Sequence, residues 1–211
     1  MSKFNLVVLV LTLLLRYPIL TSSKVYYIKP SLNDSCPTEP CLTLSQFAVH
    51  SDEYLESHTL LTFLPGVHSL EGKLFVNNTN TFALRILDQF TTATIECKLP
   101  RNFSLEFHNV STVDVHGLDF NDCANMVSSV DQLMIVDSIF SFNHTKQQTA
   151  LGLVETTANI TRSSFTNSVD GSIRQIVSEE VCKVGGAIVA IKSTVTTVSY
   201  THLTLPTIYS V

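Results

Sequence analysis

Val113-Asp-Val115-His-Gly-Leu-Asp-Phe120 is followed by Leu133-Met-Ile135-Val-Asp-Ser-Ile-Phe140 and then by Ala158-Asn-Ile160-Thr-Arg-Ser-Ser-Phe165. The Phe that closes each phrase recurs after twenty residues and again after twenty-five, with Asn121, Asn143 and Asn167 close behind. Short alternating segments returning at such a period mark a solenoid in which each repeat is one coil. Aligning the phrases predicts columns of stacked side chains: Val113 with Leu133 and Ala158, Val115 with Ile135 and Ile160, and an aromatic column of Phe120, Phe140 and Phe165. No coil buries its apolar side alone, but a stack buries a continuous core. An antiparallel β-sandwich shares the short alternating strands. Recurrence of one internal phrase, rather than of polarity alone, favours the solenoid.

The pattern extends outward from these repeats. Strands are expected at Leu60 to Leu64, Leu74 to Val76, Phe82 to Ile86, Thr94 to Glu96 and Phe103 to Phe107, with turns at Pro65-Gly66, Glu71-Gly72 and Asn77-Asn78. No helical stretch of useful length separates them, which argues against a βαβ fold. A further coil is expected from Gly185-Gly-Ala-Ile188 through Val195. Ahead of the coils, Val25 to Ile28 reads as a strand, and Thr43-Leu-Ser-Gln46 reads as a capping box that opens a short helix over Leu44 to Val49 with Leu44, Phe47 and Ala48 facing inward. Such a helix would cover the open end of the first coil. The expected fold class is therefore all-β, a right-handed parallel β-helix or pectate-lyase-like solenoid with a short N-terminal capping helix, truncated at its C-terminus.

The ends of the chain are read apart from the fold. Lys3, the apolar run Leu6 to Leu15, and small residues at Thr21 and Ser23 form a secretory signal peptide over residues 1–23, leaving Lys24 as the mature start. A retained signal anchor is the alternative, but the apolar run is about half the roughly 20 residues of a spanning helix. Residues 24–59 are expected to form the cap and residues 60–197 an incomplete set of coils. Residues 198–211, from Val198-Ser-Tyr-Thr-His-Leu-Thr-Leu-Pro-Thr207 onward, resemble the translation of a transposon-derived sequencing adapter and are expected to be a non-biological tail.

Composition limits the function classes. The net charge of −5 is spread without blocks, so there is no footprint for nucleic acid or an anionic membrane. Six N-x-S/T sequons, at Asn33, Asn77, Asn102, Asn109, Asn143 and Asn159, lie beyond the export signal and predict a glycosylated surface. Asn159 in particular should face outward between the buried Ala158 and Ile160. Of five cysteines, Cys36 and Cys41 bound a short loop with two prolines and are expected to pair. Cys97 and Cys123 lie about one coil apart and can pair across coils. Cys182 is left odd. The cysteine spacings and the scattered histidines match no zinc motif.

Several phrases resemble a known group. Tyr26-Tyr-Ile-Lys-Pro30, Cys36-Pro-Thr-Glu-Pro-Cys-Leu-Thr-Leu-Ser-Gln-Phe47, Phe63-Leu-Pro-Gly66, His116-Gly-Leu-Asp-Phe120, Thr149-Ala-Leu-Gly152 and Gly185-Gly-Ala-Ile188 resemble invertebrate secreted or surface proteins described as right-handed β-helix domain-containing proteins. Their repeats are similar to polymorphic outer-membrane-protein repeats. The resemblance spans nearly all of Val25 to Thr197. It implies a fold and an extracellular compartment more than an activity, and members of the group are longer, often with a C-terminal anchor.

Enzyme chemistry on such a scaffold needs carboxylates converging on one face, as an acid/base pair or as Ca²⁺ ligands. The alignment places Asp114 beside Met134 and Asn159, and Asp119 beside Ile139 and Ser164. Gly117, Asp137 and Arg162 share a column, which predicts an Asp137–Arg162 ion pair across adjacent coils. His116 is expected to be an outward polar residue with no orienting acid nearby. No catalytic, cofactor-binding or metal-binding residue is assigned. The function expected is structural, adhesive or recognitional, toward an extracellular protein or glycan. The alternative is a carbohydrate-active enzyme, a polysaccharide lyase or hydrolase of the β-helix class. A membrane would be met only through a missing C-terminal anchor or an uncleaved signal segment.

Overall fold

The computed structural model describes residues 23–88, 90–98, 103–142, 149–166 and 188–198. Strands β1 (Lys24–Lys29) and β2 (Cys41–Thr43) flank the cysteine loop, and helices α1 (Leu44–Val49) and α2 (Ser51–Tyr54) follow. The chain then runs through triplets of strands. The first is β3 (His58–Phe63), β4 (Gly66–Leu70) and β5 (Leu74–Asn77), and the second is β6 (Thr81–Ile86), β7 (Ala93–Cys97) and β8 (Leu105–His108). Next come β9 (Thr112–His116), β10 (Leu118–Asn121) and β11 (Asn125–Ser128), then β12 (Gln132–Val136), β13 (Ile139–Ser141) and β14 (Leu151–Val154). The last full triplet is β15 (Thr157–Thr161), β16 (Ser164–Thr166) and β17 (Ile188–Ile191), after which β18 (Thr194–Val198) opens another.

Corresponding members of each triplet pair in parallel, giving three sheets. Sheet A runs β18-β15-β12-β9-β6-β3-β1-β2, sheet B runs β16-β13-β10-β7-β4, and sheet C runs β17-β14-β11-β8-β5. The described chain is thus nearly all β, with parallel sheets visited in rotation: a β-helix-like arrangement. Apolar residues from all three sheets join one buried cluster. The column expectations hold in register. Val113 pairs with Leu133 and Leu133 with Ala158, while Val115 pairs with Ile135 and Ile135 with Ile160. Phe120, Phe140 and Phe165 stack at 4.6 and 4.7 Å with their planes within 3° and 5° of parallel.

The corners explain how short connections keep the ladders running. Asn78, Asn109, Ser129, Glu155 and Lys192 follow the sheet C strands, and all have φ between 48° and 55°. Gly117, Asp137 and Arg162 occupy the same left-handed region after sheet A strands. Left-handed backbone costs an ordinary L-residue roughly 1–2 kcal/mol. Here corner N–H groups offset part of that by bonding the carbonyl of the next coil, as in Ser129 to Val154 O at 2.9 Å and Asp137 to Thr161 O at 3.1 Å. The residue after the corner adds a buried relay: Thr156 Oγ1 donates to Val154 O at 2.9 Å, and Ser163 Oγ donates to Thr161 O while accepting from Ser138 N. Gly117 is required in its place. At φ 71° a Cβ there would also lie 2.8 Å from Ile86 Cγ2.

The cap forms as the capping box predicts. Thr43 Oγ1 accepts from Gln46 N while Gln46 Oε1 accepts from Thr43 N. Leu44, Phe47 and Ala48 are buried, and Phe47 packs edge-on against Tyr26. The strand expected at Val25 to Ile28 joins sheet A through β3 rather than standing apart. Strand β3 begins at His58, so the boundary expected between residues 59 and 60 falls within a strand.

Candidate functional site

On the outer face of sheet A, the alternation that buries Val113 and Val115 turns Asp114 and His116 outward. Arg85, one coil earlier, pairs with Asp114 and lies in register with His116. One coil later Asp137 occupies the left-handed corner, and Arg162 occupies the next. Arg162 Nε and Nη2 donate to Asp137 Oδ1 and Oδ2 at 2.6 and 2.7 Å, the ion pair the alignment predicts. His116 Nε2 lies 3.6 Å from Asp137 Oδ2. His116 is an outward polar residue as expected, but an acid does stand beside it: Asp137, at the corner of the following coil.

These five side chains form one polar strip, with Arg85 paired to Asp114 and Arg162 to Asp137. The two bonds from Arg162 hold the Asp137 carboxyl below the usual carboxylate range; burial opposes them, and the charges of Arg162 and His116 add to them. The same bonds raise the Arg162 guanidinium. A carboxylate tuned this way stays ionised and makes a poor general acid. Arg162 is 57% exposed, so solvent screens the pair, which spans adjacent coils.

Asp119, outward on sheet B, behaves differently. Partial burial pushes its carboxyl above the ordinary value. Its register neighbours are Thr94 and Ile139, and Ile139 in turn faces Ser164, as the alignment predicts. Among the described residues, no group of three His, Cys, Asp or Glu side chains is placed to hold a metal ion. No helix among them is long and apolar enough to cross a membrane.

Sheet C carries a second cluster, which the sequence reading missed. Glu106 pairs with Lys73 Nζ at 2.5 Å and lies 3.4 Å from His108 Nε2, while the His108 and Phe75 rings sit 5.3 Å apart. The residues come from β5, its preceding turn and β8, so only the strand register brings them together. Beyond it, Asp131, Glu155, Thr157 and Lys192 line an open cleft of about 330 Å³, with Lys192 Nζ 3.8 Å from Glu155.

The remaining expected sites divide cleanly. Cys36 is bonded to Cys41, and Cys97 to Cys123 across neighbouring coils. Asn33, Asn109 and Asn159 are exposed and Asn77 is half-buried at the end of β5. Asn102, Asn143 and Cys182 lie outside the described residues, as does the tail after Val198. Val198 itself ends β18, in register with Thr161.

The arrangement defines a β-helix-type protein with a charged, internally paired lateral surface. No family model matches the chain, and no curated protein matches it. Among solved structures it is similar to one described as "PL6 family alginate lyase AlyGC", with 12% identity and a TM-score of 0.43. The match covers 82% of this chain and 29% of that one, so the chain spans less than a third of that protein's length.

Proposed function

We propose that the chain is part of an extracellular or cell-surface protein, built as a right-handed parallel β-helix of the pectate-lyase-like kind and resembling the invertebrate group named above. Its role is adhesion, matrix association or recognition of a protein or glycan. The observation that carries this reading is the pairing of surface charge across coils. Arg85 with Asp114, Arg162 with Asp137 and Lys73 with Glu106 each neutralise one another. Such pairing yields a rigid, mixed-charge face rather than an unmatched acid aimed at a substrate bond. Solenoids present lateral faces of this kind to partners. A second reading, a carbohydrate-active enzyme, draws support from Asp119, because a carboxyl raised by burial is suited to donate a proton.

The test is to secrete the full chain from a eukaryotic host and offer it immobilised acidic and neutral polysaccharides and matrix proteins. Saturable binding without chain cleavage is the expected result. Turnover of a polysaccharide that is lost in Asp119→Asn, with binding kept, would replace recognition by catalysis.

A further inference from the structure

Two of the sequons have a Phe two residues before the Asn: Phe75 before Asn77 and Phe107 before Asn109. In a strand, residues two apart share a face, roughly 6–7 Å from one another. The structure separates the two cases. Phe107 points inward and is 3% exposed, and Asn109 sits beyond the strand in the left-handed corner. Phe75 points outward, 37% exposed, on the same face of β5 as Asn77. An exposed apolar ring on a strand face, beside the Asn that a sugar would extend from, is a platform for that sugar wherever Lys73 Nζ, 5.3 Å from the ring centroid, does not cover it. The C–H face of a pyranose carries partial positive charge and packs against the negative face of an aromatic ring.

Two further details point the same way. Asn109 Nδ2 lies 3.4 Å from Asn77 Oδ1 on the neighbouring coil. That contact uses the oxygen of Asn77 and leaves its Nδ2 available, whereas it occupies the nitrogen of Asn109. Thr79, the third residue of the Asn77 sequon, holds the position after the corner where the Thr156 hydroxyl donates to the Val154 carbonyl and accepts from the backbone N–H of Val130. Thr79 is 7% exposed, and its hydroxyl is buried with no partner. The folded chain makes no use of that hydroxyl, and leaving it unpaired is costly; a sequon requires it.

Resting on the extracellular reading above, we propose that Asn77 is an N-glycosylation site whose first sugar packs on Phe75 and joins the fold of sheet C. Asn77 Nδ2 bonds to C1 of a polyprenyl-diphosphate-linked oligosaccharide. The C1–O bond to the diphosphate breaks, the lipid diphosphate leaves with the electron pair, and Nδ2 gives up one proton. Because the Thr79 hydroxyl is buried once the coil closes, transfer precedes closure.

The test secretes the full chain from a eukaryotic host as wild type, Phe75→Ala, Asn77→Gln and the double variant, with sugar occupancy mapped by peptide mass spectrometry. Wild type should carry sugar on Asn77. Phe75→Ala should lower Tm by roughly 2–4 °C when Asn77 is glycosylated and leave it nearly unchanged in the Asn77→Gln background. Thr79→Val, which removes the unpaired hydroxyl and keeps Asn77, should fold and lose the sugar. Sugar on Asn33 or Asn159 with none on Asn77 overturns the proposal. So does an equal Tm loss from Phe75→Ala in both backgrounds. Absence of sugar from every sequon sinks the extracellular reading itself, and this proposal with it.

Discussion

Phe140 lies between two parallel rings, with Phe120 4.6 Å away on one side and Phe165 4.7 Å on the other. Its removal would open a cavity that neighbouring strands, fixed by their ladders, cannot close. Phe140→Ala is expected to cost about 3–5 kcal/mol, read as a lowered midpoint in a urea titration at unchanged slope. Ile95 follows Phe120 on the same inward line, and His68 ends it through its register with Ile95. His68 is 1% exposed, its ring meets Phe63 edge-on, and Nε2 donates to Leu64 O at 2.7 Å. Burial pushes the imidazole below its ordinary value of 6.5, outweighing the backbone bonds that act the other way. The unfolded chain therefore binds a proton that the folded chain refuses. This contribution is fully present above pH 6.5 and is lost as pH falls through that value toward the lower folded pKa. Stability measured between pH 7 and about 5 should fall for wild type. In His68→Leu the slope should be visibly shallower, and an unchanged slope would remove His68 as its source.

Among the elements, α1 was the most legible in the sequence, because a capping box is a local signal and local geometry decides it. Thr43→Ala removes the acceptor for Gln46 N and should cost roughly 0.5–2 kcal/mol. Its effect on urea denaturation should exceed that of Ser45→Ala only if the cap, rather than the Ser45 hydroxyl bond to Ser69 O, secures the helix. The sheet A strands and their partners in sheet B were legible for a related reason. Val113 to His116 and Gln132 to Val136 have one face in the core and one in water, so alternation shows. Sheet C was not. Met126 in β11 and Gly152 in β14 are buried although they are outward in register with Glu106, so Asn125 to Val127 and Leu151 to Leu153 show no alternation. Strand β4 was missed because it lies between two expected turns, Pro65-Gly66 and Glu71-Gly72. The corners were hidden by chemistry: Glu155, Arg162 and Lys192 are unusual choices for left-handed backbone, and nothing local announces them. The His116–Asp137 approach was lost with them.

At the scale of the molecule, stability comes from repetition: each coil offers its neighbour two or three ladders, an apolar layer and a paired charge. The Cys97–Cys123 bond closes a stretch of 26 residues across neighbouring coils, and the Cys36–Cys41 bond ties the loop beneath the cap. Cys36–Cys41 was legible as the closure of a short loop, and Cys97–Cys123 was open to pairing because a parallel stack converts a one-coil separation in sequence into adjacency in space. The charged strip on sheet A and the Phe75 cluster on sheet C obey the same rule, but the sequence shows them only once the register is known. Parallel, in-register stacking underlies all of these contacts, and cross-linking measures it directly. In a Cys182→Ser background, the pair Met134→Cys with Asn159→Cys and the pair Val136→Cys with Thr161→Cys place thiols on directly facing residues of β12 and β15. Facing strands bring Cα atoms within disulfide range. Mild oxidation followed by peptide mass spectrometry should find both cross-links. It should find neither from the exchanged pairs Met134→Cys with Thr161→Cys and Val136→Cys with Asn159→Cys. Cross-links in the exchanged pairs alone would mean antiparallel strands and would contradict the fold.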